Sequence, residues 1–499
     1  MFRALLVALC LVTAAKAEEP VRLKVLSFNI WYGGDQVNFQ KVIEAIRAAD
    51  ADIVGLQEPD GKTLEIAAAA GYPYADIRRH ILSKYPLFDS GAGRTLSADA
   101  PPYSTAGLDP DHVHAWAMVA PGKVVAVANT HLTSDPYGPE MVRDGKTAAE
   151  VIANETETRL PEAEALIAGL RPVITSGAPL ILTGDFNAPS HRDWTDLAAQ
   201  ARGLPYAVEW PVSAAMEAAG LTDTFRAANP TTIAVPGLTW TPGRPDPYVP
   251  AGETHDRIDF VWSANARPME SVLVGEEANP AVAIQIAPWP SDHRAVLSTL
   301  EVLPVDAPPL IVAEPSLVVP GDSFLLRVNS PAGAVYSAYI LPAGAPSDQA
   351  LTGIGDVDPA DRPTVRLSTI GLQPGAYDAV LLAEDGTEQA RTALSVAPAD
   401  GQATLALAQD KVTPGADIAL TFSGAPGFKL DWIGIYRAGA PSVYDYLGFA
   451  YTGARHDGQI TFPAAELYEE LTPGDYEARL MFDDHYRTLA IAPFTVTAD

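Results

Sequence analysis

Apolar residues follow two rhythms along this chain, and the switch between them divides it. Val21-Arg22-Leu23-Lys24-Val25-Leu26 predicts a strand, and Phe39, Val42, Ile43 and Ile46 then recur at i, i+3, i+4 and i+7, one face of a helix. Asp52-Ile53-Val54-Gly55-Leu56 is the next short strand. More strands are predicted at Val124 to Asn129 and at Leu180 to Thr183, with a helix carrying Leu160, Ala163, Leu166 and Ile167 between them. Ser90 to Asp111, rich in Gly, Ser and Pro, predicts a long surface loop. Beyond Leu303 helical periodicity almost disappears. Pro304, Pro308 and Pro309 mark a linker, and short strands follow between Pro-Gly turns.

The later region also repeats itself. Pro320-Gly321 returns as Pro414-Gly415, Ala343-Gly344-Ala345-Pro346-Ser347 as Ala438-Gly439-Ala440-Pro441-Ser442, and Pro374-Gly375-Ala376-Tyr377 as Pro473-Gly474-Asp475-Tyr476. The offsets of 94, 95 and 99 residues keep one order, which predicts two tandem β-sandwiches, residues 304–399 and 400–499. With 499 residues the chain exceeds one ordinary core, since single domains stop growing at roughly 250–300 residues. The domain before the linker is therefore expected to span 18–303.

Residues 1–17 read as an export signal. Arg3 gives the positive start, Ala4 to Ala15 the apolar stretch, and Ala15-Lys16-Ala17 a small-residue cleavage site before Glu18. The expected location is periplasmic or extracellular. The single cysteine, Cys10, lies inside this signal, and the Leu9 before it is not the small residue of a lipoprotein signal. The mature chain then has neither disulfides nor thiolate chemistry, and its stability rests on core burial or bound metal. No apolar run of about 18 residues follows, so no transmembrane helix is expected.

Charge narrows the partners. The formal net charge is -29, and loss of Arg3 and Lys16 with no acid takes it to -31. From Asp306 onward 25 acids face 10 bases, so the acidity is spread over the whole chain. Such a surface repels a phosphate backbone and disfavours nucleic acid as a partner.

Most candidate chemistry sits where apolar runs end: Asn29 after Leu26-Ser27-Phe28, Glu58 after Gly55-Leu56-Gln57, His131 in Asn129-Thr130-His131-Leu132, and Asp185 and Asn187 in Thr183-Gly184-Asp185-Phe186-Asn187. Asp259 follows Arg257-Ile258, and Asp292-His293 follows Ser291. Strand ends of one sheet share an edge, so these groups can converge. Carboxylates and amide oxygens are hard ligands suited to Mg²⁺, Mn²⁺ or Ca²⁺, and the histidines supply acid–base capacity near neutral pH. His112 and His114, near the end of the long loop, are candidates for the mouth of such a site.

Phe28-Asn29, Gln57-Glu58, Gly184-Asp185-Phe186-Asn187 and Ser291-Asp292-His293, with Ile81-Leu82-Ser83-Lys84-Tyr85-Pro86-Leu87, resemble the endonuclease/exonuclease/phosphatase superfamily over roughly Val21 to Val302. The resemblance implies an α+β fold: a four-layer α/β/β/α sandwich like that of deoxyribonuclease I, here followed by the two all-β sandwich domains. It implies metal-dependent phosphoester hydrolysis. Glu58 would be the principal ligand of a divalent metal, Mg²⁺ first, with Asn29 and Asp292 beside it. His293 would act as general base or transition-state stabiliser, Asp185 and Asn187 would position water and phosphate oxygen, and His131 would serve the phosphoryl group or the leaving oxygen. Whether Asp185 or His293 takes the proton stays open. The carboxylate behind His293 is Asp256 or Asp259, and the commoner Arg-Ile-Asp-Phe form favours Asp259. Arg294 either meets a phosphate or pairs on the surface. The implied substrate is a small organophosphate or lipid headgroup, with DNA or RNA as the alternative. Asp431-Trp432-Ile433-Gly434-Ile435-Tyr436 is similar to a run in SKICH domains, which implies peripheral membrane contact through the C-terminal domains.

Overall fold

A computed structural model describes residues 19–77, 79–89, 113–241, 254–277 and 279–331. In the C-terminal region it describes 334–349, 352–357, 364–397, 403–408, 412–426, 431–443, 445–453, 455–482 and 487–497. The export signal, the loop expected over Ser90–Asp111 and His112 lie outside these. Among the described residues no helix is long and apolar enough to cross a membrane.

Fourteen strands build the first domain: β1 Val21–Asn29, β2 Ile53–Gln57, β3 Tyr74–Asp76, β4 Ile81–Ser83, β5 Leu87–Asp89, β6 Ala115–Ala120, β7 Lys123–His131, β8 Leu180–Asp185, β9 Thr222–Asp223, β10 Asp259–Ala264, β11 Ala266–Glu276, β12 Val282–Ile286, β13 Ala295–Val302 and β14 Val305–Asp306. They form two sheets, ordered β12-β11-β13-β1-β2-β4-β3 and β5-β6-β7-β8-β10-β9, with β14 beside β7. The segment Ile81 to Leu87 is where the chain leaves the first sheet for the second. Helices α1 Phe39–Ala49 and α2 Thr63–Ala70 cover the first sheet, and α5 Arg159–Ser176 and α7 Pro211–Ala218 the second. The shorter α3 Gly138–Arg143, α4 Ala148–Glu157, α6 Asp196–Arg202 and α8 Thr224–Ala228 lie in the connections.

Three apolar layers fill this α/β/β/α stack. Val42, Ile43 and Ile46 of α1 pack on Leu26, Phe28, Val54 and Leu56. Leu166 and Leu170 of α5 pack on Ala126, Ala128, Leu180 and Leu182. Between the sheets, Leu23, Val25 and Ile53 meet Val125, Val127, Ile181 and Val261. The period-two alternation of strands explains the sorting: even residues of β1 face helices, odd residues face the other sheet. The inner face also changes character along its length. On β1 it runs Leu23, Val25, Ser27, Asn29; on β7 Val125, Val127, Asn129, His131; on β8 Ile181, Thr183, Asp185. Apolar residues seal one end of the sandwich and polar ones collect at the other.

Register then fixes the collection. Asp185 pairs across from His131 on one side and from Asp259 on the other, while Asn29 pairs with Gln57 in the facing sheet.

The tail forms two sandwiches. In the first, strands Leu310–Glu314, Ser323–Asn329 and Thr364–Ser368 make one sheet, and Leu317–Val318, Glu388–Val396, Gly375–Leu382, Tyr336–Pro342 and Thr352–Val357 make the other. The second pairs Thr404–Leu407, Ile418–Ser423 and Gly458–Phe462 against Tyr446–Tyr451, Trp432–Arg437, Gly474–Phe482 and Arg487–Val496. The repeated motifs do equivalent structural work: Tyr377 and Tyr476 each donate a hydroxyl hydrogen bond to the carbonyl four residues upstream, and Arg391 and Arg479 donate to Ala345 and Ala440. The expected linker is not free chain. Val305 and Asp306 pair with β7, and Ala307 and Leu310 pack on Phe88 and Val124. Ile77, Ala393 and Phe482 join all three units in one small apolar cluster.

Candidate active site

The polar ends of β1, β2, β7, β8 and β10 open into a pocket of about 300 Å³. Asn29 is fully buried, and its Nδ2 donates to Glu58 Oε1 and to Asp185 Oδ2, both at 3.0 Å. Its Oδ1 accepts from the Trp31 amide at 3.0 Å. Asn29 is thus a donor bridging two carboxylates, and a ligand role for its oxygen requires the amide to turn over. Glu58 directly follows β2 in the left-handed region (φ 57°), which redirects its side chain into the site, where Oε2 accepts from the Tyr32 amide at 2.9 Å. Trp31 and Tyr32 are left-handed as well, at φ 58° and 43°, and so is Asn187 at 47°. Backbone strain concentrated at a pocket rim is a mark of functional geometry.

Asp185 is buried, its Oδ1 accepts from the Asn187 amide at 2.9 Å, and Asn187 Nδ2 donates to the Leu132 carbonyl at 2.8 Å. Burial and then the neighbouring Asp259 raise the Asp185 pKa, against the pull of His293 and His131. His131 Nε2 stands 3.6 Å from Asp185 Oδ2 and 4.0 Å from Glu58 Oε1.

His293 is held on three sides. Its Nδ1 is 2.9 Å from Asp259 Oδ2, its Nε2 is 3.6 Å from Asp185 Oδ2 and 4.0 Å from Asp292 Oδ1, and its ring lies 4.8 Å from that of Trp240. Burial draws the imidazole pKa down, but Asp259, Asp185 and Asp292 outweigh it and hold it well above the usual value.

The structure therefore gathers Asn29, Glu58, His131, Asp185, Asn187, Asp259, Asp292 and His293, and leaves Asp256 and Arg294 outside. Asp256 Oδ1 accepts from Trp194 Nε1 at 2.9 Å and from Arg202 at 2.8 Å, pinning a buried loop. Arg294 is engaged by both oxygens of Glu276 and by the Leu238 carbonyl, so it does not face the pocket. His114 stacks edge-on against Trp116 and is absent from the pocket lining.

Sequence reasoning missed the rim. Trp31, Tyr32, Ser134, Asp135, Tyr137, Glu140 and Trp240 complete the lining. Their only sequence signal is position: Trp31-Tyr32 directly follow the end of β1, and Ser134 to Tyr137 follow β7. Burial raises the Tyr32 pKa first, and the charges of Glu58, Asp292, Asp445 and Asp60 add to it. The pocket carries five acids (Glu58, Asp135, Glu140, Asp185 and Asp292) and, among the described residues, no lysine or arginine. Ligand atoms of Asp185, Asp259 and His293 lie within 4.8 Å of one another, and Asp259 Oδ1 is buried without a hydrogen-bond partner. Glu58, Asp185 and Asp292 in one pocket, with the buried Asp259 behind them, are a crowd of carboxylates that suits a hard divalent cation.

Comparison with known proteins agrees with this architecture. The family model described as "Endonuclease/Exonuclease/phosphatase family" matches residues 26–293. A Caenorhabditis elegans protein, "Uncharacterized protein F14F9.5", is 26% identical over 293 residues, 55% of this chain and 90% of that one. An endonuclease/exonuclease/phosphatase structure from Beutenbergia cavernae DSM 12333 is 19% identical, covers 75% of this chain and 99% of its own, and has a TM-score of 0.34. An AP endonuclease from Archaeoglobus fulgidus is 18% identical, covers 55% and 98%, and scores 0.32.

Proposed function

This chain belongs to the endonuclease/exonuclease/phosphatase family, whose members are hydrolases acting on phosphoester bonds, and on that premise we propose an exported metal-dependent hydrolase of small organophosphates or lipid headgroups. The observation that carries the choice of substrate is the pocket lining, acidic and aromatic without one lysine or arginine among its described residues. Nucleic-acid binders hold the backbone through several cationic contacts, and none is offered here. Aromatic walls at Trp31, Tyr32, Tyr137 and Trp240 suit a compact organic group instead.

Glu58, with Asp292 and a turned-over Asn29, would hold the divalent cation, Mg²⁺ first, which when bound neutralises phosphoryl charge and stabilises the leaving oxygen. The protein's own groups do the rest. Asp185, fixed by the Asn187 amide, orients the attacking water. The proton that water releases is held between Asp185 Oδ2 and His293 Nε2, 3.6 Å apart, with Asp259 fixing the ring through Nδ1. Asn187 and His131 face the phosphoryl group, and His131, its side chain 29% exposed, is placed to donate to the leaving oxygen. The two sandwiches serve anchoring, including contact with a membrane surface.

The test is hydrolysis of bis-p-nitrophenyl phosphate and of plasmid DNA, each with Mg²⁺ or Mn²⁺. Turnover of the small diester with intact plasmid is expected. Rapid plasmid nicking with little small-diester activity would favour the nuclease reading. The export proposal is checked by N-terminal sequencing of the secreted protein, which should begin at Glu18.

A further inference from the structure

Beneath the groups at the mouth lies a second polar layer. Ser27 precedes Asn29, Asn129 precedes His131 and Thr183 precedes Asp185, each by two positions, and Gln57 of β2 joins them. On a strand this spacing keeps the inner face and drops about 7 Å toward the core. Asn129, only 6% exposed, is the centre of the layer. Its Nδ2 donates to the Leu56 carbonyl at 2.8 Å and to the Arg79 carbonyl at 2.9 Å, both on the side of the first sheet. Its Oδ1 accepts from Gln57 Nε2 at 2.6 Å and from Thr183 Oγ1 at 2.8 Å. Both donors and both lone pairs of one side-chain amide are therefore used, which is the full capacity of the group. Ser27 Oγ adds a second link, accepting from the Gly184 amide at 3.0 Å.

The layer leaves no slack. A Cβ on Gly55 would stand 1.8 Å from Thr183 Oγ1 and 2.6 Å from Asn129 Oδ1, so the sheets meet there at a distance only glycine permits. Buried amides with every hydrogen bond made are rigid, because breaking any one strands a polar group away from water.

We propose that Asn129 is a positioning residue: its amide clamps the two sheets at a fixed separation and thereby sets the distance between Glu58 on one sheet and His131 and Asp185 on the other. The clamp matters because Glu58 and Asp185 otherwise meet through the Asn29 amide and the longer approaches of His131. Two like-charged carboxylates repel, and how tightly a cation at Glu58 is held depends on how near the Asp185 charge is kept. The proposal rests on the reading of the site as a phosphoesterase centre, and goes beyond it in assigning where the precision comes from.

Thr183→Val and Asn129→Leu in the full-length chain test it, with Thr183→Ser as the conservative control. Three quantities are read: kcat and KM for bis-p-nitrophenyl phosphate, the affinity for Mn²⁺ alone by titration calorimetry, and the melting curve. Residues that orient ligands from behind typically change metal affinity or activity about 10–100-fold. Thr183→Val should weaken Mn²⁺ binding and lower kcat on that scale with KM little changed, Asn129→Leu should do more, and Thr183→Ser should restore both. A lowered melting point with Mn²⁺ affinity and kcat per folded molecule unchanged would mean the layer merely stabilises the fold, and would overturn the proposal. If Asn129→Leu does not fold, Thr183→Val decides alone. If the wild-type protein turns over no phosphoester, the functional reading falls while the Mn²⁺ series still judges the clamp.

Discussion

Changing one atom in each of two carboxylates, Asp259→Asn and Asp256→Asn, should separate chemistry from architecture. Both acids are fully buried and only three positions apart. Asp259 Oδ2 meets His293 Nδ1 at 2.9 Å, and its charge is among those that hold the imidazole pKa up. An amide there withdraws the charge and can present a donor to Nδ1, forcing the wrong tautomer or turning the ring. General acid–base contributions are worth about 10²–10⁴-fold, so kcat for Asp259→Asn should fall on that scale and match His293→Ala, with KM nearly unchanged. The change relieves a crowded charge beside Asp185 but also strips His293 of its buried partner, so kcat and not the melting point decides this variant. Asp256→Asn should do the reverse. Its amide oxygen can still accept from Trp194, but Arg202 loses its ion-pair partner. For this partly buried pair the loss should be about 1–3 kcal/mol, or roughly 2–4 °C per kcal/mol in a domain of this class, with kcat preserved. Steady-state kinetics and differential scanning calorimetry measure both. If Asp256→Asn abolishes turnover while Asp259→Asn only melts earlier, the assignment of the His293 partner is wrong.

Chelation with EDTA should abolish hydrolysis and Mg²⁺ or Mn²⁺ should restore it, whereas Glu58→Gln should lower kcat by about 10²–10³-fold and keep its metal-free melt; full turnover in excess chelator would sink the metal assignment. Acid stability should depend on His80. Burial pulls its pKa down to about 4, with His131 adding to the depression against Asp76, while Nδ1 bonds Thr63 Oγ1 at 2.9 Å. The unfolded chain takes up this proton below about 6.5 and the folded one only near 4, so stability falls as pH drops through that window. From pH 7 to 5 the loss is about 1–2 kcal/mol, the lower figure allowing for partial exposure, and His80→Gln should remove it in urea titrations at the two pH values. Cutting the chain after Leu303 should cost stability that a cut after Leu310 does not, because the shorter fragment loses β14 and the cover over Phe88 and Val124. Equal melting points would show that the junction is incidental.

Much of the domain was legible because its strands keep strict alternation and end in polar groups. The helix expected from Phe39, Val42, Ile43 and Ile46 is α1, and the strand expected at Leu180 to Thr183 is β8, which runs on to Asp185. The choice between Asp256 and Asp259 had a physical signal too, since only Asp259 continues the inner-face alternation with Val261. The aromatic rim was not legible. It comes from irregular segments after β1 and β7, where no periodicity tells a side chain which way to point. The prolines of the linker signalled an end to helical rhythm, but could not reveal that Val305 and Asp306 would pair with a strand far upstream.

An acidic mouth changes how a substrate arrives. Most enzymes that take phosphates draw them in with cationic fields, and added salt slows the encounter by screening that attraction. Here five carboxylates line the pocket, and the whole chain carries -29. On the proposed function, an anionic substrate climbs against this field until it reaches the cation that Glu58 and Asp292 would hold. Screening lowers the climb, so moderate salt should raise kcat/KM for an anionic diester and leave a zwitterionic one nearly unaffected. The same field hastens departure, because a product with one more negative charge than the substrate is expelled more strongly than the substrate was resisted.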